Sequence, residues 1–336
     1  MGREEEIVKE RLKKLEELKK KGINPYPARF EKKHTCSEAL GSKIGAKVVT
    51  AGRLMNKRDL GKIIFSVLRD GTGDIQIVLQ EGKTPAKTMS FFKEYSDSGD
   101  IIGVDGKLFK TKTGQTSILV EKIEMLSKSI LPLPEKWHGI QDDEERLRKR
   151  YLDIAINPEV KKLFEQKAVF WGAFREFLTK RNFLEVETPV LENSAGGASA
   201  TPFATHHNAL NLNVFLRISM GELWQKKLMV AGYEKTFEIG RQFRNEGMDA
   251  EHLQDYTQME FYWGYADYKR GMKLVEEMYK EVAKKTLGTL KFKTRGYEID
   301  LGKKWENYDY ESLIKKHTGI GIYKASEKEI KTKLKE

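Results

Sequence analysis

Cysteine, histidine and long apolar runs are all scarce in this sequence, and each shortage closes off a class of protein. The single cysteine, Cys36, allows no internal disulfide, so it reads as a bystander. Six scattered histidines with one thiol leave no ligand set spaced for structural zinc. The adjacent His206 and His207 lack a third ligand in reach and read as core or supporting residues. No run of about 18 uncharged apolar residues occurs, so no transmembrane helix and no membrane partner are expected. The N-terminus opens with charges and no apolar segment follows, which argues against a secretory signal and for a cytoplasmic protein.

What is present suffices for two ordinary domains: 336 residues, 39% hydrophobic. Charged residues make up 33% of the chain with a net charge of +11, so a polyanionic partner, nucleic acid or nucleotide, is expected. Near the N-terminus Val8, Leu12, Leu15 and Leu18 recur at helical spacing among dense Lys and Glu, and Pro25 and Pro27 end the pattern. This is either a solvated amphipathic helix or a basic helix lying along a phosphate backbone.

Residues 48–125 change character to five short runs rich in Val, Ile, Thr and Phe, with one helix-forming segment at 85–95. Five strands and an interposed helix suit a small OB-type barrel, whose outer face binds single-stranded nucleic acid by stacking and basic groups. Strand alternation puts Ile63, Phe65 and Val67 on one face. Phe65 and Gln76, an aromatic and an amide on facing strands, suit an unpaired base, although Phe65 taken alone reads first as a core residue.

The proline-broken stretch 127–141 reads as a linker. Beyond it Asn157-Pro158 starts a long amphipathic helix carrying Val160, Leu163, Phe164, Ala168, Trp171, Phe174 and Leu178, whose wide apolar stripe suits either a core or a dimer interface. Residues 237–244 and 257–262 read as strands joined by a polar segment too long for a simple hairpin. Gln258, Glu260 and Tyr262 share one strand face, and that wall is too polar for a core. It is either a functional wall or an exposed, solvated hairpin face.

Phe243-Arg244-x-Glu246, followed by a variable loop and an aromatic, acidic strand, resembles motif 2 of class II aminoacyl-tRNA synthetases. The helix running into Phe183, Thr188 and Pro189 resembles their motif 1, which forms the dimer interface. The stretch PLPEKWHG at 132–139, the glycine-rich segment 196–203 with Thr205, His206, His207 and Asn208, and Tyr262-x-x-Tyr265-Ala266-Asp267-Tyr268 are similar to lysine-specific members. The resemblance covers nearly the whole chain.

It implies an α+β chain in four parts: an N-terminal basic helix and lead-in (1–41), a five-stranded OB-fold anticodon-binding barrel (42–127), a linker (128–146), and a partial class II antiparallel sheet with flanking helices (147–336). The implied activity is that of a lysyl-tRNA synthetase: ATP-dependent activation of L-lysine to lysyl-adenylate and transfer to the 3' end of tRNA(Lys), in a homodimer formed through the motif 1 helix. Such chemistry needs in-line positioning and cations against phosphate charge. By resemblance Arg244 and Glu246 are the catalytic pair, and Arg244, Asn245, Glu246, His252, Leu253 and Tyr256 bind ATP, with Tyr256 stacking on adenine. Gly197, Glu222, Glu260 and Tyr262 hold lysine; the glutamates suit an ε-ammonium, whereas an aspartate enzyme needs a cationic pocket. Arg53, Phe65 and Gln76 contact the central anticodon base.

Three places depart from the family pattern. Leu253-Gln254-Asp255-Tyr256 replaces the usual Asn-Pro-Glu-aromatic, and Ser219-Met220-Gly221-Glu222 is one residue longer than usual. Motif 3 and the upstream acidic residues that hold Mg2+ in the family are absent up to the last residue, Glu336. No metal ligands are therefore expected within this chain. They are expected beyond Glu336, with the chain a truncated product of weak or no turnover. The competing readings are a noncatalytic tRNA-binding module, an aspartyl or asparaginyl synthetase, and a protein lysyl-transferase paralogue.

Overall fold

The computed structural model describes residues 2–134, 142–249 and 251–334, with the side chain of Glu222 left out of the description. Most of the PLPEKWHG stretch therefore lies outside the described residues, as do Lys335 and Glu336. The chain divides into two compact units between Asn157 and Pro158.

The first unit begins with α1 (Arg3–Lys20). Acidic Glu4, Glu5 and Glu6 in its first turn and Lys19 and Lys20 in its last complement the helix dipole. Its apolar stripe is shifted from the expected one: Leu12 is 45% exposed, and Arg11 is buried in line with Leu15 and Leu18. Positions 11, 15 and 18 share a face at 3.6 residues per turn. Arginine suits that face because the Arg11 guanidinium donates to the carbonyls of Ser98 (2.9 Å), Leu131 (3.0 Å) and Ser129 (3.2 Å), groups that a leucine would leave without donors.

After α2 (Cys36–Gly41), strands β1 (Lys47–Asp59), β2 (Ile63–Arg69), β3 (Asp74–Gln80), β4 (Ile101–Lys110) and β5 (Thr116–Ser127), with α3 (Ala86–Tyr95) between β3 and β4, close a barrel in the order β1-β2-β3-β5-β4. Period-two alternation sends Ile64, Leu68, Ile75, Ile77, Ile102, Val104 and Ile118 inward, with Phe92 of α3 buried against them. Gly52 is required by closeness: a Cβ there would overlap the carbonyl of Arg69 on β2. Cys36 is buried; burial first, then the Asp70 charge, pushes its thiol up to about 11, which disfavours the reactive thiolate near neutral pH. Below the barrel the fully buried Lys128 ammonium donates to Asp97 (2.5 Å), Asp100 (2.8 Å) and the Tyr95 carbonyl (2.8 Å). Two short helices, α4 (Asp143–Arg148) and α5 (Arg150–Ile156), complete this unit.

The second unit opens with α6 (Pro158–Thr179), where proline takes the first helical position as its missing N–H permits. There follow β6 (Leu184–Glu185), β7 (Leu191–Glu192), β8 (Ala204–His207), β9 (Leu212–Leu216) and α7 (Lys226–Val230), then β10 (Lys235–Phe243), β11 (Asp255–Trp263) and α8 (Tyr268–Leu287). A hairpin of β12 (Lys291–Thr294) and β13 (Tyr297–Asp300) and the helices α9 (Tyr310–Thr318) and α10 (Glu327–Lys333) follow.

β10 pairs antiparallel with β11 and parallel with β6. One face of this sheet packs on α6 and α8 through Phe177, Leu178, Phe183, Phe237, Leu274 and Met278. Fully burying Phe177 and Phe237 contributes roughly 2–3 kcal/mol each. The opposite face carries Glu238, Gln242, Gln258 and Glu260. Of the two roles expected for His206 and His207, the core one is excluded: β8 is exposed, His206 Nδ1 lies 2.9 Å from Asn213 Oδ1, and His207 Nδ1 accepts from Leu210 N. A short edge strand with a polar partner across it has nothing to bury them against.

Candidate active site and nucleic-acid interface

The second unit's open sheet face follows from strand register. Pairing of Phe237 with Phe261 and Ile239 with Met259 sends those residues to the core. It thereby puts Thr236 opposite Tyr262, Glu238 opposite Glu260, Gly240 opposite Gln258 and Gln242 opposite Tyr256 on the other side. Like charges directly opposite each other destabilise a sheet unless one is compensated. Here Arg217 compensates Glu238. The two side chains are buried, 2.6 Å apart, and Thr188 Oγ1 donates to the second Glu238 oxygen at 2.6 Å. Arg217 donates further to the Arg241 carbonyl and to Thr188, and its guanidinium fills the space a Cβ on Gly240 would need.

Glu260 has a different environment. Ser219 Oγ (3.1 Å) and Gln258 Nε2 (2.6 Å) both donate to one of its oxygens, and both donors are neutral. Below it the buried Gln225 amide accepts from Thr236 Oγ1 (2.8 Å) and donates to the Glu260 carbonyl, so the wall is fixed from underneath. Glu192 on β7 is also buried; burial pushes its carboxyl up against the opposing pull of Arg217 and a Trp224 hydrogen bond. The sequence reading missed Thr188, Glu192, Arg217, Ser219, Gln225 and Glu238. Alternation along β10 was the available signal for Glu238, since an acid on the face opposite Phe237 needs a partner.

The loop between β10 and β11 is tied to the glycine-rich segment. Asn245 N donates to the Thr201 carbonyl (2.8 Å) and Thr201 N donates to Glu246 Oε1 (3.2 Å). Arg244 N donates to the Gln254 carbonyl (2.8 Å), closing the loop base, and its guanidinium lies over the Tyr256 ring at 5.7 Å. His252 is exposed, with Nδ1 2.8 Å from the Asp249 carboxylate, and Leu253 is exposed beside it. Gly197 has φ +89, the left-handed region that favours glycine. Glu222 is the second residue of a π-helical turn, Gly221–Gln225, and its side chain lies outside the described residues. Such a turn holds one residue more than α-helical winding, which fits the extra residue noted before Glu222.

In the first unit Phe65 and Gln76 lie on the barrel's outer face as diagonal neighbours, because Val67 pairs with Gln76 and Phe65 with Val78. Gln76 Oε1 accepts from Ser117 Oγ (2.8 Å), and Arg53 donates to the Gly99 carbonyl (2.7 Å). Arg58, opposite Phe65 and exposed, adds a cation that the sequence reading did not single out.

Among the described residues no three His, Cys, Asp or Glu side chains converge on a point that could hold a metal ion. The described residues by themselves do not form a magnesium site. The sequence reading put the magnesium ligands beyond Glu336, and Glu336 itself lies outside the described residues.

Comparison with known proteins identifies the chain. The family described as tRNA synthetases class II (D, K and N) matches residues 142–335, and the OB-fold nucleic acid binding domain matches residues 48–126. The chain is 45% identical to the lysine-tRNA ligase of Pelotomaculum thermopropionicum, over 98% of this chain and 66% of that protein. It is 44% identical to that of Carboxydothermus hydrogenoformans (94% and 65%) and 42% identical to that of Nostoc punctiforme (94% and 59%). The chain thus spans somewhat under two thirds of the length of these curated relatives. An α+β chain with an OB-fold barrel and a class II sheet, matched in both parts, belongs to the class II aminoacyl-tRNA synthetases, in the lysine-tRNA ligase family.

Proposed function

We propose that the chain binds L-lysine and ATP on the open face of β10 and β11 and tRNA(Lys) on the outer face of the barrel. The reaction is activation of lysine to lysyl-adenylate with transfer to the tRNA 3' end. The observation that carries this reading is the inequality of Glu238 and Glu260. Arg217 neutralises the first, while the second accepts, among the described residues, from the neutral donors Ser219 and Gln258, an arrangement suited to an incoming cation. Tyr262, Gly197 and Glu222 complete the lysine end.

At the nucleotide end Arg244 holds the α-phosphate and stabilises charge developing there. Glu246, Asn245, His252 and Leu253 shape the loop, and Tyr256 stacks on adenine. Arg53, Phe65 and Gln76 read the central anticodon base. A homodimer through α6 is supported by Leu163, Phe164 and Val169, which stay exposed in the N-terminal half of a helix whose buried residues, Ala173, Phe177 and Leu178, lie in its C-terminal half; sedimentation at micromolar concentration tests it.

Isothermal titration of the chain with lysine, norleucine, aspartate and asparagine tests the pocket. Norleucine keeps the aliphatic stem and lacks the ammonium, so lysine binding that exceeds norleucine binding at least tenfold, with neither acidic nor amide ligand bound, is expected. Equal lysine and norleucine affinities refute the assignment of Glu260. No amino-acid binding, with tRNA binding retained, favours the noncatalytic tRNA-binding reading.

A further inference from the structure

Among the described residues an ion pair joins the hairpin of β12 and β13 to the β10–β11 loop: Arg295 Nη1 lies 2.8 Å from a carboxylate oxygen of Glu251. Arg295 is an unusual residue to find there. It has φ +47 and is followed by Gly296 at φ +86, while Thr294 and Tyr297 pair across the strands. Two central residues of positive φ make a type I′ turn, whose first position is ordinarily filled by Asn, Asp or Gly. A long side chain carries steric strain at that position. The pair returns little in exchange, because both side chains are largely exposed and solvent screens them. Asparagine would serve the hairpin itself better. What arginine adds is reach to Glu251.

Glu251 belongs to a compact turn. The backbone N–H groups of Glu251 (2.7 Å) and His252 (2.8 Å) both donate to Asp249 Oδ1, and the His252 ring rests against the same carboxylate. Holding Glu251 therefore holds the backbone that carries His252 and Leu253. The base of the loop is closed separately by Arg244 and Gln254, so the hairpin contact is a second, outside support.

We propose that Arg295 is a positioning residue for this loop: tethered to Glu251, it presets the His252 side for the nucleotide. The tether stands on geometry alone, while its use for ATP rests on the function proposed above.

Hydrogen exchange of the full chain, read at residues 251–254 in about 0.1 M salt, tests it with R295N, E251Q, the double variant and R295K. Asparagine suits the turn, so R295N should keep or raise the Tm while exchange at 251–254 quickens about threefold, a size an exposed ion pair allows. E251Q should match R295N, the double variant should be no faster than either, and R295K should lie near the parent. The differences should vanish in about 1 M NaCl. ATP Kd, measured by titration, should rise by a similar factor in R295N and recover in R295K. Unchanged exchange in R295N, or additive effects in the double variant, overturns the tether. Parent protein that shows the exchange pattern but binds no ATP supports the tether and removes the nucleotide role.

Discussion

Replacing Glu260 by glutamine isolates the charge on which the proposed lysine pocket depends. The side chain is isosteric and its oxygen still accepts from Ser219 and Gln258, so the wall keeps its hydrogen-bonded frame. Only the anion is lost. A partly buried ammonium deprived of its hydrogen-bonded counter-charge loses about 2–4 kcal/mol, which is about 30- to 1,000-fold in Kd for lysine. Stability should move the other way or not at all. Glu260 sits opposite Glu238 in register, and removing one of two facing carboxylates relieves repulsion worth at most about 1 kcal/mol. The assay pairs lysine titration at about 0.15 M salt with thermal unfolding of the same sample. In E238Q, by contrast, Arg217 is left buried without its counter-ion, costing about 3–5 kcal/mol of stability, while lysine affinity of the folded fraction changes less than in E260Q. Lysine affinity in E260Q within threefold of the parent, or a larger affinity loss in E238Q than in E260Q, refutes the division of labour between the two glutamates.

The barrel makes its own predictions. F65A should weaken binding of an anticodon stem-loop RNA by about 1–3 kcal/mol in a fluorescence-anisotropy titration, the worth of one base–aromatic stack, with an unchanged circular-dichroism spectrum; undiminished binding excludes Phe65 as the platform. G52A should destabilise the first unit by about 1–3 kcal/mol in urea, because the new methyl meets the Arg69 backbone, which cannot swing away. Acid should destabilise this unit with a definite sign. Burial alone raises the Asp70 and Asp97 carboxyls, but hydrogen bonds from Lys32, Thr72 and Cys36 N to Asp70, and from Lys128 and Lys14 to Asp97, outweigh it and hold both below the ordinary value of 3.8. Their stabilisation is complete above that value and is lost as pH falls through the lower folded-state values, while Asp100, raised by burial, works in the opposite direction. The Tm should therefore drop below about pH 4, less steeply in D70N; equal slopes in parent and D70N sink the assignment. Cys36 should resist a thiol reagent at pH 8 until the chain is unfolded, and prompt labelling of the native protein contradicts its burial.

Much of the architecture was legible because it rests on local periodicity. Alternation located all five barrel strands, and the 3.6-residue stripe located α6, since these patterns record which face meets apolar surroundings. The N-terminal stripe misled by one position because periodicity counts apolar residues, whereas the surface under α1 presents three carbonyls that only a donor such as Arg11 satisfies. The core alternative for His206 and His207 failed for a related reason: the chain does not say that β8 is an exposed edge.

At the candidate site, the lysine pocket came only from the family resemblance, whereas residue types and order alone placed Arg244 with Glu246 at the start of one loop and Glu260 with Tyr262 on one strand face. Those inferences hold within a few residues of chain, where spacing dictates direction. Tertiary structure decided which carboxylate has a cation beside it. Arg217 and Thr188 come from segments outside the β10–β11 hairpin, and cross-strand register alone sets Glu238 beside Glu260. Electrostatic compensation depends on distance in space, so no reading along the chain could have told the two glutamates apart.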